Sequence, residues 1–64
     1  MNNIKLIREK LNMSQLELAE SLGISGPRLS QYENNKRKLP IEIACKISEK
    51  YQIKLDDIYN ISKI

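Results

Sequence analysis

Few side chains in this chain have the type and spacing for covalent chemistry. There is no His, so no imidazole stands ready to activate a Ser hydroxyl, and Cys45 has no partner nearby in sequence. The hydroxyls of Ser14 and Ser25 are better explained as helix starts. Asp56 and Asp57 are adjacent, hence on different faces of a helix, and in a first turn they suit the positive end of the helix dipole better than acid–base work. One Cys and no His also exclude a disulfide framework within one chain and any ordinary zinc site. The chain is therefore expected to be no enzyme and to use no cofactor or metal. Non-covalent chemistry remains. Arg28 and Gln31 lie three residues apart, about one helical turn, and both end in hydrogen-bonding groups. Lys36, Arg37 and Lys38 follow as a consecutive cationic run. Such a run alone is a solvated turn; directly after a helix bearing Arg28 and Gln31 it suits contact with a polyanion.

The segment from Ser14 to Glu33, SQLELAESLGISGPRLSQYE, positions these groups. Ser14 is a good N-cap and Glu17 sits three residues later, the reciprocal capping box; Met13 and Leu18 have the spacing of a hydrophobic staple. Ser25 repeats part of the pattern, with Ile24 and Leu29 at the same offsets. Pro27, second after that cap, lies in the turn where a missing N–H costs nothing. The two helices must bend at Gly23, where a left-handed backbone carries no Cβ penalty. Leu18, Ala19 and Leu22 make the apolar face of the first helix, answered by Ile24, Leu29 and Tyr32.

This pattern resembles the helix-turn-helix of the phage-repressor family, the Cro-like, xenobiotic-response-element-type regulators. Gln15, Leu18, Ala19, Leu22, Gly23, Ile24, Ser25, Leu29 and Glu33 carry the match, together with IREKLNMSQ at 7–15, NKRKLP at 35–40 and IKLDDIY at 53–59. The resemblance covers nearly the whole chain. It implies an all-α, compact five-helix, lambda-repressor-like DNA-binding domain over residues 1–64, with the helix-turn-helix at about 15–34. It also implies that the second helix of the motif enters the major groove. The family reads bases with the first two positions after the cap, here Gly26 and Pro27, which have no side-chain hydrogen-bonding group. Pro27 can pack on a thymine methyl and Gly26 allows close backbone approach. Arg28, able to donate twice to guanine, and Gln31, able to pair with adenine or reach a phosphate, then bear most of the base-specific hydrogen bonding. Gln15 stands where the family anchors a phosphate, and Ser25, Asn34, Lys36, Arg37 and Lys38 are the other expected phosphate contacts. Arg8 and Glu33 occupy positions that pair across the first and third helices. Asn35 stands where Gly is usual, at little cost because Asn tolerates positive φ. Gln52 and Lys54 replace the usual Gly and Ser before the fifth helix.

Sixty-four residues make one domain, which buries only about 60% of its unfolded surface. With no Trp or Phe, the core must come from Leu, Ile, Ala and Tyr. Helical spacing predicts a first helix over Asn3–Leu11, with Ile4, Ile7 and Leu11 on one face. A fourth helix is expected from Pro40 to Tyr51, burying Ile43, Ala44, Ile47 and Tyr51. A fifth is expected over Leu55–Asn60, with Leu55, Ile58 and Tyr59 inward. Leu16 falls at a usually polar position, and Cys45 reads as a small half-buried residue. No stretch of about 20 apolar residues and no signal peptide is visible, so the expected compartment is the reducing cytoplasm of a bacterium or phage-infected host, with no membrane partner.

Two functions fit. The first is a small bacterial or phage DNA-binding regulator, a repressor, whose partner is double-stranded DNA. It would pair as a weak homodimer, formed on the operator or before it, through an apolar patch of Tyr59, Ile61 and Ile64. The second is a protein-interaction module, an antitoxin or small antagonist, which the bare Gly26 and Pro27 keep open.

Overall fold

The structure, a computed structural model, describes residues 2–59. Five helices follow one another: α1 (Ile4–Lys10), α2 (Gln15–Leu22), α3 (Gly26–Glu33), α4 (Ile41–Tyr51) and α5 (Leu55–Tyr59). There is no strand among the described residues. α2 packs on α3 and α4, α1 on α3, and α4 on α5. One core joins them: Ile4, Leu18, Ala19, Leu22, Leu29, Tyr32, Leu39, Ile43, Ala44, Ile47 and Ile58 are buried, and Ile7, Met13, Ile24, Tyr51, Ile53, Leu55 and Tyr59 pack around it. Among the described residues no helix is long and apolar enough to cross a membrane.

The start of α2 is a complete capping box. Ser14 Oγ accepts from the N–H of Glu17 at 3.0 Å, and Glu17 Oε1 accepts from the N–H of Ser14 at 2.7 Å. Ser25 Oγ accepts from the N–H of Arg28 at 3.2 Å to start α3. The ends of α1 to α4 share one device. Asn12, Gly23, Asn35 and Gln52 take a left-handed backbone, with φ of 58°, 74°, 60° and 58°. The N–H of the next residue then reaches back five residues: Met13 to Arg8, Ile24 to Ala19, Lys36 to Gln31, and Ile53 to Ser48. This is the Schellman closure, in which one turned residue satisfies carbonyls that the helix end leaves open. Met13, Ile24 and Ile53 press onto the core as its apolar clamp; after α3 the corresponding residue is the exposed Lys36.

Several polar side chains lock the helices together. Asn3 N–H donates to Ile58 O at 2.8 Å, and Asn3 Nδ2 to Asp57 O at 2.7 Å, tying the start of α1 to α5. Asn2 Nδ2 donates to Tyr32 O at 3.0 Å while its Oδ1 accepts from the N–H of Ile4, so it caps α1 and holds the end of α3. Lys46 Nζ donates to Leu22 O across α4 and α2, and the hydroxyls of Ser21 and Tyr51 share a 2.7 Å hydrogen bond.

Two expectations are corrected. Leu11 is 37% exposed rather than buried, because α1 stops at Lys10 and the chain turns through Asn12, leaving Leu11 on the rim of a hollow with Leu6 and Ile53. α1 accordingly spans Ile4–Lys10, not Asn3–Leu11. α5 is described to Tyr59; Asn60, Ile61 and Ile64, the last two expected in a dimer contact, lie outside the described residues. Tyr59, assigned to the same contact, is half-buried, and its hydroxyl donates to Leu39 O at 3.1 Å. Burial pushes the Tyr59 phenol above its ordinary pKa, and its electrostatic interactions with Cys45 and Glu42 act in the same direction.

Candidate nucleic-acid interface

α3 divides into two faces. Leu29 and Tyr32 are buried against α1 and α2, whereas Pro27, Arg28 and Gln31 are exposed. A period of 3.6 residues places Gly26 near the exposed set, and nothing lies within 4 Å of where its Cβ would be. Its φ is not positive, since Gly23 alone among the glycines is left-handed. Neither packing nor backbone conformation therefore demands glycine at 26, in contrast to Gly23, which its φ of 74° requires.

The orientation of α3 is set from behind by Glu33. Arg8 Nε donates to Glu33 Oε2 at 2.7 Å and Arg8 Nη2 to Oε1 at 3.2 Å, a two-pronged pair whose side chains are 14% and 2% exposed. Arg8 Nη1 also donates to Met13 O at 3.0 Å, reaching the link into α2. Gln15 Nε2 completes the cluster by donating to Glu33 Oε1 at 3.0 Å. One carboxylate thus gathers α1, α2 and α3. Hydrogen bonding to Glu33, which accepts from it, holds the Arg8 guanidinium above even its ordinary pKa, against the opposing effect of burial, with Glu33 and Glu9 adding charge attraction. Its charge therefore persists throughout the working pH range.

The expected phosphate-contacting residues ring this face. Gln15, at the first position of α2, spends one amide hydrogen on Glu33; its second amide hydrogen and its own helix-start N–H are the groups left for an anion. Ser25 Oγ accepts from Arg28, so its hydroxyl hydrogen is left to donate. Asn34 Nδ2 donates to Ser30 Oγ at 3.2 Å. Lys36, Arg37 and Lys38 are exposed in the turn after α3. Arg37 Nε donates to Gln31 Oε1 at 2.8 Å, a contact that sequence reasoning missed. The reason is the turn itself: positions 31 and 37 share no helical face, and only the left-handed Asn35 brings them together. The arrangement is a polar, cation-edged ridge centred on a rigidly seated helix, suited to entering a groove between two lines of anions. Among the described residues no three His, Cys, Asp or Glu side chains converge as a metal site would require.

Comparison with known proteins agrees with this geometry. A helix-turn-helix family model matches residues 4–58. An uncharacterised helix-turn-helix-type transcriptional regulator of Methanocaldococcus jannaschii is 31% identical over 58 residues, covering 91% of this chain and 88% of the relative. Another, from Archaeoglobus fulgidus, is 34% identical over 56 residues, covering 88% and 79%. Antitoxin PezA of Streptococcus pneumoniae is 36% identical over 62 residues, 97% of this chain; the chain spans only 39% of the antitoxin's length. By its motif and across nearly its whole length, the chain belongs to the helix-turn-helix family of DNA-binding transcriptional regulators.

Proposed function

We propose that this protein is a sequence-specific repressor that sets α3 in the major groove of double-stranded DNA and acts by binding, without catalysis. The observation that carries the reading is the outer face of α3. Pro27, Arg28 and Gln31 are exposed there, while Glu33, on the opposite side, is tied to α1 and α2. A helix held this firmly from behind presents its side chains in one fixed register, which direct base readout needs. Gln15, Ser25, Asn34, Lys36, Arg37 and Lys38 serve as phosphate contacts that fix that register. Two copies pair on an inverted repeat.

The test is selection of bound duplexes from a random-sequence library at near-physiological salt, since affinity depends steeply on ionic strength. Enrichment of an inverted repeat with half-sites about one turn, ~34 Å, apart is the expected result. Weak, salt-sensitive retention with no enriched sequence would reject it. A second reading draws on the similarity to an antitoxin and on the lack of side-chain donors at Gly26 and Pro27: the same domain serves a complex with a protein partner. The absence of DNA enrichment would favour that reading.

A further inference from the structure

The turn after α3 folds back on the helix it ends. The N–H of Lys36 donates to the main-chain carbonyl of Gln31 at 2.9 Å, and that of Arg37 to the same oxygen at 3.3 Å. Held there by main chain, Arg37 lays its side chain beside Gln31, and Nε donates to Oε1 at 2.8 Å. Chemistry fixes which end of the amide meets the guanidinium. Arginine has only donors, so the facing atom must be the amide oxygen, and the nitrogen points away. Both side chains are exposed on the α3 side of the domain. What the pair offers outward is therefore dominated by N–H: the amide NH2 of Gln31 and the guanidinium N–H groups that Arg37 does not use.

We propose that Arg37 is a positioning residue for specificity: by occupying the side-chain oxygen of Gln31 it makes this glutamine a donor-only reader. The base facing Gln31 is then a keto base, guanine or thymine, and not adenine. The inference rests on α3 being the base-facing helix. A glutamine with both ends free pairs with adenine, donating to N7 while accepting from the N6 amino group. Here the accepting end is taken. The oxygen keeps a second lone pair, but the adjacent guanidinium brings positive charge and its own N–H groups to where the N6 hydrogens would approach. Guanine, with acceptors at N7 and O6, and thymine, with O4, meet the exposed amide hydrogens without that conflict. Cytosine presents an amino donor and is rejected for the same reason as adenine. The residue at 37 thus alters what the residue at 31 recognises.

The experiment compares library selections for the whole chain, Gln31→Ala and Arg37→Ala, with circular-dichroism melting to verify that each variant is folded. In the wild-type site, one position in each half-site should be guanine or thymine and should become indifferent in Gln31→Ala. Arg37→Ala should admit adenine at that same position, lowering the keto-to-adenine ratio on the order of tenfold. Adenine there in the wild-type site would overturn the proposal, as would the absence of any position that responds to Gln31→Ala. So would an Arg37→Ala variant that binds every duplex more weakly by the same factor, with a salt slope lower by about one, because that is the signature of a simple phosphate cation. If the wild-type chain enriches no sequence, the base-facing role of α3 falls and this assignment with it. A clear wild-type site whose preference Arg37→Ala leaves unmoved rejects only the role of Arg37.

Discussion

At Glu33 a single side chain decides where α3 points, and its two partners are not equivalent. The carboxylate is 2% exposed, whereas the Arg8 side chain is 14% exposed. Glu33→Ala leaves a guanidinium that still donates to Met13 O and can lean toward water. Arg8→Ala leaves a nearly buried carboxylate with Gln15 as its remaining side-chain partner. Breaking a buried pair from one side costs about 3–5 kcal/mol, chiefly through the charge left behind. Both variants should therefore melt well below the wild type, Arg8→Ala the lower of the two; equal losses below about 0.5 kcal/mol would mark the pair as an ordinary surface contact. Gly26 gives the opposite kind of prediction. A Cβ there meets nothing within 4 Å, and alanine exceeds glycine in helix propensity by up to about 1 kcal/mol. Gly26→Ala should leave the melting temperature unchanged or raise it, and should weaken DNA binding, because only an approaching partner has use for the missing methyl. Unchanged affinity in a titration would remove Gly26 from the interface. The positions of Gly26, Pro27 and Arg28 were legible in the sequence because Ser25 marks where the helix begins. The link from Arg37 to Gln31 was not: Asn35 was expected to tolerate the positive φ it adopts, but positions 31 and 37, which that turn brings together, share no local periodicity.

Among the elements, the helix starts were easier to read than the helix ends. Ser14, Glu17 and Ser25 announce α2 and α3 through side chains that bond their own helix. The closures rest on backbone conformation, which only Gly23 advertises plainly; Asn12 and Gln52 adopt the same left-handed turn with less revealing side chains. Leu11 was placed on the wrong side for this reason. Gln52 is the weakest of these turns, because a left-handed residue other than Gly or Asn carries a steric cost of about 1–2 kcal/mol. Its side chain recovers part of that by donating from Nε2 to Glu49 O at 3.1 Å. Gln52→Gly should then stabilise the domain by roughly 0.5–1 kcal/mol, a rise of several degrees in Tm for a chain of this size. A fall in Tm would show that the side-chain bond outweighs the backbone cost. α5 closes the chain through Tyr59, whose phenol burial holds above its ordinary pKa. A group whose pKa is raised by folding stabilises while protonated, and that contribution is lost as pH rises through the folded value. Stability should therefore fall in the alkaline range, above about pH 10, and Tyr59→Phe should lose less there than the wild type. Parallel alkaline melting curves for the two would show that Tyr59 does not couple to folding.

For the molecule as a whole, size and charge limit what one copy can do on DNA. The described domain measures 31 × 24 × 20 Å, so its longest axis falls short of the ~34 Å between successive major-groove faces. One copy has one α3 and can read one half-site. Its net charge of +3 is modest, and the exposed cations flanking α3 are Lys36, Arg37 and Lys38. If those three each neutralise a phosphate, the logarithm of affinity should fall with the logarithm of salt with a slope of about −3 for a single copy and about −5 for a pair, at ~0.9 per contact. A pair of copies is therefore expected to bind more tightly than one at cellular salt, since it doubles both the phosphate contacts and the bases read. The helix-turn-helix could be read from residue types alone. For the patch of Tyr59, Ile61 and Ile64 expected to pair two copies, the Tyr59 hydroxyl donates to Leu39 O within the same chain, and Ile61 and Ile64 lie outside the described residues. On a duplex carrying the selected inverted repeat, two protomers per DNA and a slope near −5 are expected, against near −3 on an isolated half-site. A complex that stays one-to-one on the full repeat, with the half-site slope, would mean that a single copy suffices and that α3 reads an asymmetric site.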